Sequence, residues 1–544
     1  MLTCASYSRF FKHNDKTGRW CIDNPYFCEK YSIRKVLLFM SVINNVISWF
    51  LKKRVSQIEY FRSHPLKVQQ DTLKDLLYAA RNTHWGKKYG YAGIRNYETY
   101  RNKVPLQDYE NVKPYVDRMM QGEQQLLWPT DIKWFAKSSG TTADRSKFIP
   151  VSREALADCH YKAGKDVLSL YCHNNPGSKI FDGKGLIMGG SHKVSEINNQ
   201  VYIGDLSAVL LQNAPPYGEF FRTPDLSLAL LDDWEKKLDK VAHVTYSQNV
   251  TNISGVPSWN LVLLKRILEV TGRNNILEVW PNLELFIHGG VSFAPYKSQF
   301  EKLIPSDNMS YMETYNASEG FFGIQDIPQS NEMLLMLDYG IFYEFIPMDA
   351  YGQQGEKAIP LSEVEKDTNY AMVISTNAGL WRYMIGDTVR FTSLSPYRIR
   401  ISGRTKNFIN AFGEEVIIDN AESALDKACR ATNAIISEFT AAPIYLDDDA
   451  SAAHQYIIEF EKEPNNLDHF TDTLDRKLRE LNSDYDAKRS ADLMLKKPNI
   501  TIVPEKTFFR WMKSRGKIGG QNKVPRLFNN RKYVDSILEF TRQA

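Results

Sequence analysis

The sequence predicts an α/β protein with a large N-terminal domain and a small α+β C-terminal domain. Short apolar strand segments alternate with helical segments through the first 400 residues or so, which is typical of an α/β fold. After residue 404 the pattern changes to a unit in which strand segments flank one strongly amphipathic helix. The 544 residues are enough chain for about three to four domain-sized units.

The N-terminal elements follow in order. Residues 56–130 predict helices and turns, with a turn at 84–90. A short strand at 134–136 leads into a Ser/Thr/Gly run, and residues 153–172 predict a helix. Further strand segments, some with a glycine turn, are predicted at 183–190, 283–287, 370–375 and 398–402.

The C-terminal domain is predicted to begin at residue 405, after the sequence Ser402-Gly403-Arg404. Its predicted elements are a helix at 421–428, a strand at 455–460, an amphipathic helix at 467–481 and a strand at 500–503. The N-terminal domain then covers residues 40–404. Residues 1–39 are aromatic and rich in cysteine without a clear period, so we expect an atypical extension that lies outside the folded core.

Charge and cysteine content narrow the class of protein. The net charge of +4 is too small to indicate a nucleic-acid partner, although residues 1–55 carry 10 basic and 3 acidic side chains. Residues 505–532 carry 9 basic and 1 acidic side chain, so the basic groups are concentrated at the two ends. Six cysteines without metal-binding spacing predict reduced thiols, no structural metal and a cytoplasmic location.

One apolar segment near the N-terminus raises the question of a membrane. Residues 36–50 are followed by three basic residues, but a spanning helix needs about 20 apolar residues. The segment also lacks the order of a signal peptide. We therefore expect no stable membrane insertion, with a helix packed on the protein body as the first interpretation and a membrane-surface helix as the second.

The first motif is a run of hydroxyl residues and one glycine directly after a strand: Ser138, Ser139, Gly140, Thr141 and Thr142. Hydroxyl and backbone N–H groups around a glycine can form a cradle for phosphate, and Lys147 follows five residues later. The run does not match the G-x-x-x-x-G-K-[ST] pattern. Taken alone, it is equally consistent with an ordinary surface turn.

The second motif is Tyr315-Asn316-Ala317-Ser318-Glu319-Gly320. A tyrosine can stack on a flat base, and a glutamate can hold Mg²⁺ through its hard oxygens. Ser318 lies between them and can reach a phosphate or a carboxylate. A loop with a solvated glutamate is the alternative, and the G-x-S-x-G elbow of serine hydrolases is incomplete because position 316 is Asn.

Three further motifs follow. Asp387 ends the sequence Tyr383-Met384-Ile385-Gly386-Asp387, which predicts a tight turn whose aspartate can accept the hydroxyls of a ribose. Arg404 can bind ribose or phosphate, and Lys406 lies where the two domains would join. The last motif is a basic, glycine-rich segment with Lys517 and Lys523, which suits a phosphoryl centre or a solvated tail.

In this order the motifs resemble the adenylate-forming superfamily of acyl-CoA synthetases, peptide-synthetase adenylation domains and luciferases. Three segments look like the GH3 family of acyl acid amido synthetases: 138–150 (SSGTTADRSKFIP), 315–323 (YNASEGFFG) and 520–526 (GQNKVPR). The segment 84–90 that leads to Val104-Pro105 is similar as well. The resemblance covers about residues 50–540, which is nearly the whole chain.

The resemblance implies a fold, a reaction and its cofactors. The large N-terminal adenylating domain would consist of several subdomains, and the small C-terminal domain would be mobile. The enzyme would bind ATP and Mg²⁺, adenylate a small carboxylic acid, and pass the acyl group to an amine, usually that of an amino acid. The chain would therefore be an AMP-forming acid–amino acid ligase.

The resemblance also assigns roles to residues. The run 138–142 would hold the ATP phosphates, Tyr315 would cover the adenine, and Glu319 would meet Mg²⁺. Asp387 and Arg404 would hold the ribose, and Lys406 would be the hinge. Lys523 is favoured as the catalytic lysine, with Lys517 as the alternative.

Other functions stay open at this stage. An acyl-CoA synthetase shares the first half-reaction, so the motifs do not identify the acceptor. A nucleotide-binding protein without turnover is disfavoured by the intact Glu319, Asp387 and Lys523. The acyl pocket is expected between residues 185 and 225 and near Val291-Ser292-Phe293, where Phe, Tyr and Leu suit an aromatic or aliphatic acid. The oligomeric state is not predicted.

Overall fold

A computed structural model gives the architecture of most of the chain. The structure describes residues 12–13, 20–21, 51, 53–138, 147–189, 195–196, 201–231, 233–290, 293, 296–353, 356–405, 408–409, 414, 416–445, 452–482, 485–486, 489, 495–516, 524–528 and 530–543.

The described strands are numbered in chain order. They are β1 (Lys12–His13), β2 (Trp20–Cys21), β3 (Trp134–Ser138), β4 (Lys147–Val151), β5 (Lys184–Ile187), β6 (Ser195–Glu196), β7 (Tyr202–Gly204), β8 (Arg222–Thr223), β9 (Val250–Gly255), β10 (Leu285–Gly289), β11 (Ser310–Ala317), β12 (Gly320–Ile324), β13 (Met333–Leu335), β14 (Ile341–Pro347), β15 (Ile359–Pro360), β16 (Asn369–Thr376), β17 (Tyr383–Leu394), β18 (Tyr397–Arg404), β19 (Phe408–Ile409), β20 (Val416–Ile417), β21 (Ile435–Tyr445), β22 (Ala452–Lys462) and β23 (Asn499–Val503).

Helices surround these strands. The α-helices cover 53–63, Pro65–Ala80, His84–Lys88, Tyr97–Lys103, Tyr109–Met120, Tyr161–Asn174, Leu206–Gln212, Leu226–Ala229, Trp234–Thr245, Pro257–Thr271, Lys297–Leu303, Ile418–Thr432, Leu467–Leu481, Thr507–Ser514 and Lys532–Gln543. A π-helical turn at Ala155–His160 runs directly into the helix Tyr161–Asn174.

The central sheet has twelve strands in the order β15-β14-β16-β17-β18-β13-β12-β11-β10-β9-β5-β8. The strands β8, β5, β9, β10 and β11 are parallel, and from β11 onward every neighbouring pair is antiparallel. The change of direction therefore falls at the β11–β12 hairpin. Ligands of α/β proteins bind outside the carboxyl ends of parallel strands, so this hairpin is the place to look for a site.

The antiparallel half is held by strands that are buried on both faces. Every residue from Tyr370 to Thr376 in β16 is buried, as is every residue of β14 up to Ile346. Arg382 and Glu344 pair inside this half, with an Nη2–Oε1 distance of 2.8 Å. Arg382 directly precedes β17 and Glu344 lies in β14, so the pair holds the start of the strand that carries Asp387 against β14.

A second sheet, β4-β3-β7-β6, lies in the same domain. The strands β3 and β4 are antiparallel, and the Cα of Ser138 is opposite the Cα of Lys147. The two ends of the segment 138–147, which includes the Ser/Thr/Gly run, are therefore fixed as neighbours. Ser139, Gly140, Thr141 and Thr142 lie outside the described residues.

The C-terminal unit is a three-stranded sheet in the order β21-β22-β23 with helices on both faces. Tyr456 and Ile458 of β22 contact the core beneath the helices Ile418–Thr432 and Leu467–Leu481. Ile457, which points to the other face, packs under the helices Thr507–Ser514 and Lys532–Gln543. The domain boundaries at residues 40 and 405 stay predictions.

Most predicted elements are present with slightly different ends, and two are wrong in type. Residues 84–90 are not only a turn, because His84–Lys88 is a short helix capped by the Thr83 side chain, which accepts from the Gly86 N–H at 3.0 Å. Asp387 does not lie in a tight turn but inside β17. Among the described residues no helix is both long and apolar enough to cross a bilayer.

Candidate active site

Three predicted site residues meet at the start of the antiparallel half of the sheet. The Tyr315 hydroxyl of β11 donates to Asp387 Oδ2 of β17 at 2.8 Å. Arg404 Nε at the end of β18 donates to Asp387 Oδ1 at 2.6 Å. The carboxylate of Asp387 is therefore held from both sides by residues that are distant in sequence.

Local backbone geometry explains this arrangement. Asp387 and Arg404 are direct cross-strand partners, so their side chains share one face of the β17–β18 hairpin. Gly386 has a φ of +90°, which side chains rarely adopt, and its carbonyl accepts the Thr405 N–H at 3.0 Å. A residue with a Cβ at 386 would strain the backbone next to Asp387.

The protonation states of this cluster follow from its burial and charge. Tyr315 is 4% exposed, and burial together with the Asp387 charge raises the pKa of its hydroxyl well above the usual value. Tyr315 therefore stays a hydrogen-bond donor at physiological pH. The Asp387 carboxylate raises the pKa of Arg404, so this guanidinium stays charged.

Glu319 lies in the turn between β11 and β12, next to Ser318, and both side chains are half-buried. Burial raises the pKa of Glu319, and the charge of Asp387 adds to the effect, while Lys147 and Arg404 oppose it. Lys147 begins β4, so the strand pair that carries the phosphate-loop ends also brings a cation toward Glu319. The side chain of Ser138 is not described.

The donor set suits Mg²⁺. Glu319 offers hard carboxylate oxygens, and Asp387 is close enough to raise its pKa. The described residues contain no group of three metal-binding side chains. One or two carboxylates completed by substrate phosphates are the usual environment of Mg²⁺ in nucleotide sites, so the residues present fit this ion.

A cleft of about 2680 Å³ connects this cluster with the C-terminal unit. Tyr315, Glu319, Asp387 and Arg404 line one wall. The opposite wall comes from the helices Ile418–Thr432 and Thr507–Ser514 and from the segment 524–526. Lys406, Lys517 and Lys523 lie outside the described residues, so their predicted roles are untested.

Two residues near Tyr315 escaped the sequence analysis. Glu313 shares a face of β11 with Tyr315 and is in register with His288 of β10. Burial and the charge of Glu422 raise the pKa of Glu313 to about 7, against the effect of Arg400. Burial lowers the pKa of His288 to about 3, so its ring is neutral. The two-residue spacing from Tyr315 was the available signal for Glu313.

The predicted acyl pocket lies only partly within the described residues. Phe293 lines the cleft and stacks on His288, with ring centroids 4.2 Å apart. Val291 and Ser292 lie outside the described residues. Among the described residues that line the cleft, none falls between 185 and 225, so that part of the pocket stays a prediction.

Family models match three consecutive parts of the chain. They are the GH3 family N-terminal domain at residues 54–309, the central domain at 334–404 and the C-terminal domain at 419–532. The chain belongs to the GH3 family. The segment 138–150 lies in the N-terminal match, Asp387 and Arg404 lie in the central match, and the segment 315–323 falls between these two matches.

Curated GH3 relatives have low sequence identity to this chain but align with most of its length. The chain is 23% identical to indole-3-acetic acid-amido synthetase GH3.3 of Arabidopsis thaliana over 84% of this chain and 89% of that protein. It is 23% identical to jasmonoyl-L-amino acid synthetase GH3.5 of Oryza sativa subsp. japonica over 62% of this chain and 70% of that protein. The predicted ligase class is confirmed by these relatives.

Solved structures show the same fold. The AtGH3.15 acyl acid amido synthetase in complex with 2,4-DB superposes with a TM-score of 0.74 at 17% identity, covering 90% of this chain and 96% of that chain. A 2-hydroxyisobutyryl-CoA ligase in the postadenylation state gives a TM-score of 0.53 at 10% identity, covering 88% and 92%. The predicted two-domain α/β fold of GH3 and adenylate-forming enzymes is confirmed.

Proposed function

We propose that this GH3 protein activates a small carboxylic acid with ATP and joins the acyl group to the amino group of an amino acid. The observation that carries the proposal is the cluster of Tyr315, Asp387 and Arg404 beside Glu319, in a cleft between two domains. The names of the relatives, indole-3-acetic acid-amido and jasmonoyl-amino acid synthetases, support acid–amino acid ligation.

In the first step an oxygen of the acid attacks the α-phosphorus of ATP, and pyrophosphate leaves. Both reactants are anions, so the site must supply positive charge where they meet. We assign this role to Arg404, Lys147 and one of the two tail lysines. Mg²⁺ held by Glu319 would neutralise charge on the phosphate oxygens.

In the second step the amine attacks the carbonyl carbon of the acyl-adenylate, AMP leaves, and the amine proton passes to solvent. Neither step needs a nucleophile from the protein. Asp387, held by Tyr315 and Arg404, would accept the ribose hydroxyls and so keep the adenylate in place during both steps. The reduced state expected for the six cysteines supports a cytoplasmic location.

The first test is ATP–pyrophosphate exchange over a panel of carboxylic acids. Indole-3-acetic, jasmonic and aryloxyalkanoic acids are the first choices, because the names of the relatives and of the GH3.15 complex point to them. We expect exchange that depends on one class of acid and collapses in Glu319→Ala. Exchange with no acid, together with no ATP binding by calorimetry, would exclude the proposal.

The acceptor needs a second measurement. Mass spectrometry of reactions that contain an amino-acid mixture and, separately, coenzyme A separates the two outcomes. We expect an amide and AMP with the amino acids. A thioester in place of the amide would instead assign an acyl-CoA synthetase, the alternative that the shared first half-reaction leaves open.

A further inference from the structure

A polar bridge joins the two domains across the cleft that Asp387 also lines. It consists of Arg526, Glu438 and Tyr296, which we call the tail bridge. An Arg526 Nη2 donates to the Tyr296 hydroxyl at 3.4 Å, and the other side of the guanidinium pairs with Glu438. Tyr296 belongs to the N-terminal domain, and the other two residues belong to the C-terminal unit.

Arg526 is fixed within its own domain by several independent contacts. Its guanidinium donates to the Phe439 carbonyl at 3.2 Å and lies 4.6 Å from the centroid of the Phe439 ring. Its carbonyl accepts the Ala441 N–H at 2.8 Å, and the Thr440 hydroxyl donates to the Pro525 carbonyl at 2.6 Å. The segment is thus attached to β21, and the Nη2 side of the planar fork is directed to Tyr296.

Tyr296 is fixed just as firmly on the opposite side. It is 3% exposed, and its N–H donates to the Phe293 carbonyl at 2.9 Å. Its own carbonyl accepts the N–H groups of Gln299 and Phe300, at the start of the helix Lys297–Leu303. The Tyr296 hydroxyl is therefore held in place in the segment that follows β10, and β10 pairs with β11, the strand that carries Tyr315.

A second interdomain contact lies close by. Lys265 Nζ donates to Glu461 Oε2 of β22 at 3.0 Å and to Gln299 Oε1 at 3.2 Å. This pair is exposed, so we expect it to contribute little by itself. Any rotation of the C-terminal unit about the connection at 405–407 would separate both contacts, which makes them specific for one orientation of the domains.

We propose that Arg526 and Tyr296 are positioning residues that hold the C-terminal domain in the orientation used for adenylation of the acid. The inference rests on the proposed function. Lys523 precedes Arg526 by only three residues, so fixing Arg526 against the N-terminal domain restricts the reach of this lysine. The half-reaction that needs the lysine should then depend on the bridge, and the half-reaction that needs another orientation should not.

The test separates the two half-reactions in variants of the bridge. Tyr296→Phe removes one oxygen from the N-terminal side, and Arg526→Lys keeps the charge next to Glu438 but loses the fork. Tyr246→Phe is the matched control, because Tyr246 is exposed and lies outside the cleft lining. Each variant is assayed by ATP–pyrophosphate exchange and by single-turnover aminolysis of the preformed acyl-adenylate.

We expect Tyr296→Phe to lower the kcat of exchange about three- to tenfold, which is the range for one hydrogen bond, without a change in the KM for ATP or acid. Aminolysis should stay at the wild-type rate or rise. The double variant should be no slower than Arg526→Lys alone, because both changes break one contact. Equal losses in both half-reactions, a change in KM alone, or additive losses would overturn the proposal.

A structural readout keeps the proposal testable if the wild type exchanges with no acid, a result that would count against the proposed function instead. Amide hydrogen exchange in peptides that cover 524–528 should be faster in Tyr296→Phe than in the wild type and in Tyr246→Phe. Unchanged protection in this segment would show that Tyr296 does not hold the C-terminal domain, whatever the reaction.

Discussion

Replacing Tyr315 with Phe separates two roles that one residue can have in this site. A phenylalanine keeps a ring that can stack on adenine but loses the hydroxyl that donates to Asp387 at 2.8 Å. Tyr315 is 4% exposed, and its ring centroid lies 4.9 Å from that of Phe322. Little of the ring faces the cleft, so we expect the hydroxyl to matter more than the stacking.

The size of the effect follows from the charge of the acceptor. A hydrogen bond to a charged group contributes about 1.5–3 kcal/mol, and about 1.4 kcal/mol corresponds to a factor of ten. Arg404 Nε still holds the other oxygen of Asp387 at 2.6 Å, so the carboxylate keeps part of its orientation. We therefore expect the lower end of the range, which is a rise of about tenfold in the KM for ATP.

The assay is ATP–pyrophosphate exchange as a function of ATP concentration. Tyr343→Phe is the control, because its buried hydroxyl donates to the Met336 carbonyl at 3.0 Å, away from the cleft lining. Thermal melting of both variants shows whether the fold is intact. An unchanged KM in a folded Tyr315→Phe variant would refute the positioning of Asp387 by the hydroxyl and leave only the ring stacking.

Three further predictions test the site and its support. Glu319→Gln should lower the exchange rate on the order of 100-fold at the Mg²⁺ concentration that saturates the wild type, and it should shift the Mg²⁺ titration to higher concentrations; an unshifted titration would contradict its assigned role. Glu344→Gln should cost about 3–5 kcal/mol in urea unfolding, because it leaves Arg382 buried without its charge partner, whereas Asp71→Asn, in an exposed pair, should cost less than about 1 kcal/mol. Glu313 has its pKa raised from 4.5 to about 7, so ionisation favours the unfolded chain, and stability should fall as pH rises from 4.5 to 7. Glu313→Gln should remove this decline in pH-dependent melting curves.

The sequence was sufficient for the elements that are defined by a local pattern. The helix Leu467–Leu481 was predicted with its observed ends, and the middle of its apolar face, Phe470, Leu474 and Leu478, is fully buried, whereas Leu467 and Leu481 at the two ends are exposed. Short apolar segments also identified β10 and β16. The strand β10 begins and ends two residues later than predicted, and β16 is longer than predicted by one residue at each end. Periodicity is a property of neighbouring residues, so it needs no tertiary information.

Local sequence patterns did not predict the arrangement of the site. Asp387 looks like a turn residue because Gly-Asp is common in turns, yet cross-strand pairing with Arg404 places it inside β17. Glu313 has no motif of its own, and only the parallel register of β10 and β11 places it beside His288. Both results depend on which strands become neighbours, which a single sequence without a repeat does not encode in any short segment.

The concentration of basic residues at the C-terminal end can be related to the charges that the two reaction steps bring into the cleft. In the described part of the basic C-terminal end, Glu438 pairs with Arg526, and Glu459 accepts the N–H groups of Lys506 and Phe508 at the start of a helix. Adenylation brings two anions together and benefits from such cations, whereas the second step needs a neutral amine, which nearby positive charge also favours over ammonium. Once pyrophosphate has left, however, the cations have lost the anion that attracted them. We therefore expect departure of pyrophosphate to weaken the attraction between the basic side chains and the cleft, so that the tail bridge and the Lys265–Glu461 pair are contacts that must break before the C-terminal domain can turn.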